Sequence, residues 1–198
     1  MKTLKFKFIT KCLMLLFLTI NFACTVEDDT PEVKTASFKV KAAAMLSDNF
    51  PSTEGAGIEV YGTISTILVV DPNIDPDTPL PNDIGDQRIL WTRTSSNWEL
   101  VGSAEYVINS EGSEQTFTLT EEEINNGARI LIYAKLWDKD PDGNPDDYLG
   151  ETFLEFSAAT LKNLNEPKFQ QLSFTHVEPG LVNLITARVR FILEHLKD

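Results

Sequence analysis

The chain has 198 residues, of which 42% are hydrophobic, and its 30 acidic and 17 basic residues give a net charge of −13. So acidic a surface repels nucleic acid and anionic lipid, which argues against a nucleic-acid partner and favours basic partners or divalent cations. A chain of this length can bury one full hydrophobic core.

The first 23 residues are predicted to be a signal peptide. Four lysines precede a short apolar run from Cys12 to Ile20. This run is shorter than the about 20 residues that a membrane-spanning helix needs. A short apolar run behind lysines and ahead of small residues is typical of a signal peptide rather than of a membrane anchor.

Cys24 is predicted to become the lipidated N-terminus, which attaches the protein to the lipid bilayer. Ala23 places a small residue directly before it, as the signal peptidase of bacterial lipoproteins requires, although Asn21 stands where leucine is usual. Without acylation, Cys24 would be an unpaired thiol in an oxidising compartment, because Cys12 leaves with the leader. More than one acyl chain, palmitate among them, gives stable anchoring. The alternative is an ordinary signal peptide with a chance cysteine.

The acidic segment after Cys24 predicts where the anchored protein is displayed. Residues 25–34, TVEDDTPEVK, are polar and without periodicity, so that 24–34 is interpreted as a flexible tether. An acidic cluster in this position resembles the tag that sends some Gram-negative lipoproteins to the outer face of the outer membrane. Removing the four leader lysines changes the net charge from −13 to −17.

The remainder, 35–198, is predicted to be a single all-β domain, an antiparallel β-sandwich of about eight strands. Apolar and polar residues alternate with a period of two, which is typical of antiparallel strands with one buried face. The alternating segments are 38–46, 58–68, 116–119, 130–136, 153–156 and 187–193. Short helices are predicted at Glu121–Asn126 and Ala158–Leu164. For the last segment a strand is favoured, with an amphipathic helix as the alternative.

Five aspartates fall within one loop between two of these strands. They are Asp138, Asp140, Asp142, Asp146 and Asp147. Side by side they repel one another, and a bound Ca²⁺ would relieve that repulsion because calcium takes about six to eight oxygen ligands. An EF-hand is excluded, since Leu149 stands where that loop needs a bidentate glutamate and the flanks are strands. The alternative is a solvated acidic turn, because Asp, Pro and Gly are common turn residues.

The run from Gln115 to Leu161 resembles the C2 domain, the calcium-dependent sandwich of synaptotagmin and protein kinase C. It carries a strand, an acidic helical turn, a strand that ends in Asp138-Lys139-Asp140, and the strand start Leu149-Gly150-Glu151. The resemblance implies that Asp138 and Asp140 are the paired loop aspartates. It implies that Asp146 or Asp147 is the distal one.

The same resemblance implies a second acidic loop on the rim, within the Asp- and Pro-rich segment 69–86. Asp83 and Asp86 are its candidate calcium ligands, although the usual Asp-Pro-Tyr is here Asp86-Gln87-Arg88. Tyr148, Ile84 and Leu80 are the candidate residues for contact with a partner.

The favoured function is a non-catalytic, calcium-dependent binding module whose extracellular ligand is a glycan, a lipid headgroup or a protein. His176 and His195 are the only histidines, and neither belongs to a catalytic motif. The chain is therefore predicted not to be an enzyme. The alternatives are an accessory subunit of an envelope assembly and a carboxylate-based glycan hydrolase. Of the three tryptophans, at least two are predicted to lie in the core.

Overall fold

The computed structural model describes residues 33–50, 55–71, 73–74, 86–140, 145–177 and 184–197. This part of the chain forms ten strands. Apolar and polar residues alternate along the longer ones, because alternate side chains of an extended backbone point to opposite faces. The strands are β1 (Thr35–Asn49), β2 (Ile58–Val69), β3 (Asp86–Arg93), β4 (Glu99–Val101), β5 (Tyr106–Val107), β6 (Glu114–Thr120), β7 (Arg129–Asp138), β8 (Asp147–Ser157), β9 (Lys168–Val177) and β10 (Leu184–Leu196).

Within the described residues, two short helices interrupt the strands, α1 (Glu121–Asn125) and α2 (Ala158–Lys162). The side chain of Thr120 accepts from the backbone of Glu123, and the Glu123 carboxylate accepts in return from the backbone of Thr120, which is a capping box. Neither helix is long and apolar enough to cross a bilayer.

The strands form two antiparallel sheets. The first sheet has the order β5-β1-β10-β9, with β6 also paired to β1, and the second has the order β3-β2-β7-β8, with β4 also paired to β2. The prediction of an all-β antiparallel sandwich is therefore confirmed. The predicted number of about eight strands is too low: β4 and β5 have only three and two residues, too few to show a period, and the alternation of β9 was missed.

The main core lies between the two sheets. Its largest fully buried side chains include Phe38, Phe117 and Phe191 from the first sheet and Trp91 from the second. The prediction that at least two tryptophans are buried is wrong. Trp98 is 39% exposed in the connection before β4, and Trp137 lies on the face of β7 that points away from the core.

A second, smaller apolar cluster lies on that outward face of the second sheet. It consists of Ile67, Val69 and Leu131, packed against partly buried residues that include Ile74 and Phe153. Its members are no more than 5% exposed, because the chain after β2 returns over the sheet at Ile74. The guanidinium of Arg129 donates a hydrogen bond to the Ile74 carbonyl and so holds Ile74 over the cluster.

Candidate functional site

Three aspartates at the loop between β7 and β8, namely Asp138, Asp146 and Asp147, have partners within the protein. Asp138 ends β7 and is 3% exposed, and its Oδ1 accepts from the backbone N–H of Glu59 at 2.8 Å. That hydrogen bond ties the start of β2 to the end of β7. The distance along the chain is 79 residues.

Asp146 is held from two sides. Its Oδ2 accepts from the hydroxyl of Tyr61 at 2.8 Å, and its Oδ1 lies 2.9 Å from the Nζ of Lys139. Lys139 and Tyr61 together lower the pKa of the Asp146 carboxyl. Burial, and then the bond to Asp146, raise the pKa of Tyr61 to about 12. At neutral pH the carboxylate therefore stays ionised and the phenol stays protonated.

The other candidate ligands among the described residues, Asp140, Asp147 and Asp86, divide between the two ends of the second sheet. Asp147 faces the imidazole of His176, with Oδ1 3.4 Å from Nε2, and Asp140 follows two residues after the end of β7. Asp86 pairs with Leu68 near the end of β2 and forms an ion pair with Arg88. Asp138 pairs with Val60 near the start of β2. Eight residues of strand separate the two positions by roughly 26 Å, so the structure does not bring Asp86 to the loop aspartates.

The described carboxylates do not by themselves form a calcium site. Among the residues described, no three His, Cys, Asp or Glu side chains are grouped so that they could hold a metal ion. The remaining candidate ligands Asp142 and Asp83 lie outside the described residues, as do Ile84, Leu80 and Cys24.

Three aromatic rings lie in a row across the outward face of the second sheet, and we call Tyr61, Trp137 and Tyr148 the aromatic strip. The rings of Tyr61 and Trp137 are stacked with centroids 5.6 Å apart and an interplanar angle of 11°. Those of Trp137 and Tyr148 are 5.3 Å apart and tilted by 50°. These are favourable separations for aromatic pairs. Tyr148, a predicted contact residue, is 44% exposed.

Charged groups border the strip. The Nζ of Lys135 lies 5.5 Å from the ring centroid of Trp137 and 6.0 Å from that of Tyr148, within the range of cation–π attraction. It also lies 2.9 Å from the carboxylate of Glu151, which is 3.2 Å from the hydroxyl of Tyr148. Lys135, and then the hydroxyl of Tyr133, lower the pKa of Glu151.

The backbone explains why these rings meet. Tyr61 is paired with Trp137, and Trp137 with Tyr148. A register shift next to Trp137 leaves Leu149 buried and turns Tyr148 outward. Gly62 has a φ of +133°, and a Cβ there would lie 2.1 Å from the carbonyl oxygen of Lys135. Position 62 therefore requires glycine, which lets β2 approach β7 closely beside the stacked rings.

Tyr61 and Trp137 are site residues that were not predicted, although the sequence contains a signal for their position. Ile130, Ile132, Ala134 and Leu136 form the inward set of β7. Trp137 alternates with these inward residues along β7, and this places it on the outward face. Tyr61 is likewise in the outward phase of β2.

No protein-family model and no curated protein matches the chain. Among solved structures, a C2 domain of plant extended synaptotagmin 1 is a structural neighbour. The sequence identity is 11% and the TM-score 0.33, over 82% of this chain and 97% of that chain. The sandwich fold described above rests on the strand pairing of the chain itself.

Proposed function

We propose that the protein is a non-catalytic binding module, displayed at the outer surface of the outer membrane through acylated Cys24. The observation that carries the binding role is the aromatic strip. Its rings lie on the outward face of the sandwich, adjoin one another and are bordered by ionised groups. Contiguous aromatic surface with a polar border is typical of binding sites rather than of an ordinary solvated sheet face. The sequence around Cys24 supports the anchor.

Display is tested with the full chain expressed in a Gram-negative host. Metabolic labelling with an alkyne analogue of palmitate should label the wild type and leave Cys24→Ser unlabelled. Protease added to intact cells should digest the wild-type domain. Absence of label, or full protection of a labelled chain, would contradict surface display.

Calcium dependence of the binding belongs to this proposal, and it is supported by the five aspartates between β7 and β8. Millimolar calcium should raise the melting temperature of the wild type, because a ligand that binds only the folded state stabilises it. Asp140→Asn should reduce the shift, and Lys139→Gln is the matched neighbour that leaves all carboxylates in place. No shift in the wild type would rule out a calcium site of useful affinity.

A second candidate function is that of an accessory subunit in an envelope assembly. Phe169 and Val177 favour it, because both lie on β9, an edge strand of the first sheet, and are 72% and 59% exposed. A stoichiometric partner should then co-purify from solubilised outer membrane and be lost with Phe169→Ser. The hydrolase alternative is tested by measuring the release of reducing ends from glycans. Steady release would overturn the non-catalytic assignment.

A further inference from the structure

The aromatic strip combines flat apolar rings with hydrogen-bonding groups at their edges. Tyr148 supplies exposed ring surface, and Trp137 lies between it and Tyr61. A ligand that covers the strip must offer an apolar face to the rings and polar groups around its perimeter.

Two ion pairs border the strip, and their charges cancel. Lys135 is paired with Glu151, and Lys139 with Asp146, each at 2.9 Å. These four groups therefore sum to zero charge in a chain whose net charge is −13. Neither pair offers an unpaired charge to an anionic headgroup or a basic peptide. At the rings, electrostatic complementarity therefore favours an uncharged ligand.

The hydrogen-bonding groups of the border are mainly acceptors. The hydroxyl of Tyr61 donates to Asp146, and that of Tyr148 lies 3.2 Å from Glu151. Both carboxyl groups have lowered pKa values and stay ionised, and each carboxylate offers about four acceptor positions. The ligand must therefore bring hydrogen-bond donors. A proline-rich peptide brings chiefly carbonyl acceptors, whereas sugar hydroxyls donate as well as accept.

We propose that the aromatic strip binds a neutral glycan, with sugar rings against Trp137 and Tyr148 and sugar hydroxyls donating to Glu151 and Asp146. The C–H faces of a pyranose ring supply the flat apolar surface, and its equatorial hydroxyls supply the polar perimeter. This inference rests on the proposed binding function, since it names the ligand class of the same surface.

The test uses the full chain in detergent micelles and an array of neutral hexasaccharides made of glucose, mannose, xylose or galactose in their common linkages. At least one should bind and change the tryptophan fluorescence at concentrations up to about 1 mM. Trp137→Ala and Tyr148→Ala should each weaken that binding about tenfold or more, because they remove central contact surface. Tyr148→Phe should weaken it less, since it keeps the ring. Glu151→Gln should weaken it, because one acceptor oxygen of the carboxylate is replaced by an amide donor.

Phe169→Ala is the matched control, because Phe169 is an exposed aromatic residue of the other sheet. It should leave glycan binding unchanged. Melting curves of every variant establish that each is folded under the assay conditions.

Three outcomes would overturn the glycan assignment. They are no binding to any member of the array, unchanged binding in folded Trp137→Ala, and saturable binding of a proline-rich decapeptide in preference to every sugar. Failure of surface display is distinguishable from these results. The labelling and protease experiments on cells report on the anchor alone, and glycan binding is measured on purified protein.

Discussion

The outward face of the second sheet has two ends that the protein treats in opposite ways. At one end, Ile67 and Leu131 are nearly inaccessible beneath the chain at Ile74. At the other, Trp137 and Tyr148 remain in contact with solvent. The same strands, β2 and β7, run through both ends with the same alternation. The alternation along a strand therefore decides on which face of the sheet a side chain lies. Whether another segment of the chain covers that face decides whether the residue stabilises the fold or is available to a ligand.

The side chains at the two ends suit these different surroundings. Ile67, Val69 and Leu131 are purely aliphatic and contribute most when they are fully removed from water. Tyr61, Trp137 and Tyr148 have polar atoms that can stay hydrated or hydrogen-bonded while their rings stack. The protein can leave these rings open at a lower cost than it could leave aliphatic side chains open.

The largest expected effect is at the covered end. Leu131→Ala should lower the free energy of unfolding by about 2–4 kcal/mol, because it leaves a cavity beneath the chain that covers Leu131. Urea denaturation measures this loss. Thr63→Ala, a partly exposed position on the same face, is the control and should change stability by about 0.5 kcal/mol or less. Equal effects of the two substitutions would mean that the covered end contributes no packing.

Next in size is the hydrogen bond that closes the open end of the sheet. Asp138→Ala should lower the free energy of unfolding by about 1–3 kcal/mol, because the partly buried N–H of Glu59 loses its acceptor. Asp138→Asn keeps an oxygen acceptor and should cost less. Amide hydrogen exchange at Glu59 provides the measurement. Unchanged protection in the alanine variant would show that the bond does not hold β2.

A smaller loss of stability is expected within the aromatic strip itself. Trp137→Ala should lower the free energy of unfolding by about 1–2 kcal/mol, because it removes two aromatic pairs of a side chain that is only partly buried. The two substitutions should have the reverse order of effect on glycan affinity, which Trp137→Ala should weaken far more than Leu131→Ala. Parallel denaturation and binding titrations check both parts. A loss of stability in Trp137→Ala as large as that in Leu131→Ala would remove the distinction between the two ends.

The smallest effect expected is a pH dependence at the border of the strip. Lys135 lowers the pKa of Glu151 below the ordinary value of 4.5 in the folded state. Its contribution to stability is therefore present above pH 4.5 and is lost as the pH falls through the lowered pKa. The pair is partly exposed, so the effect should be about 0.5 kcal/mol or less.

Denaturation curves between neutral pH and about pH 3 test this dependence. The loss of stability on acidification should be smaller in Glu151→Gln than in the wild type. Glu122→Gln is the matched control, a glutamate on α1 away from the strip. An identical acid profile in wild type and Glu151→Gln would show that the pairing with Lys135 adds nothing to stability.

The acidic loop shows why the candidate site could be predicted only in part. The cluster of aspartates predicts a loop with many adjacent negative charges, and the repulsion between them by itself favours a bound cation. In the structure, Asp138 accepts from Glu59 and Asp146 accepts from Tyr61, residues 79 and 85 positions earlier in the chain. These partners come from β2, and no local pattern around residue 140 indicates them.

The sequence alone determined the architecture and the face on which most strand residues lie, because the direction of a side chain along an extended backbone is a local property. The sequence also contained the alternation along β7 that places Trp137 on the outward face. Only the tertiary structure decided that Leu131 is covered and Trp137 is open, and that Tyr61 and Tyr148 join Trp137 in one strip. Those outcomes depend on which strands pair and on which segment packs over the sheet. The residues involved are far apart in the chain, so the local alternation of apolar and polar residues does not indicate these contacts.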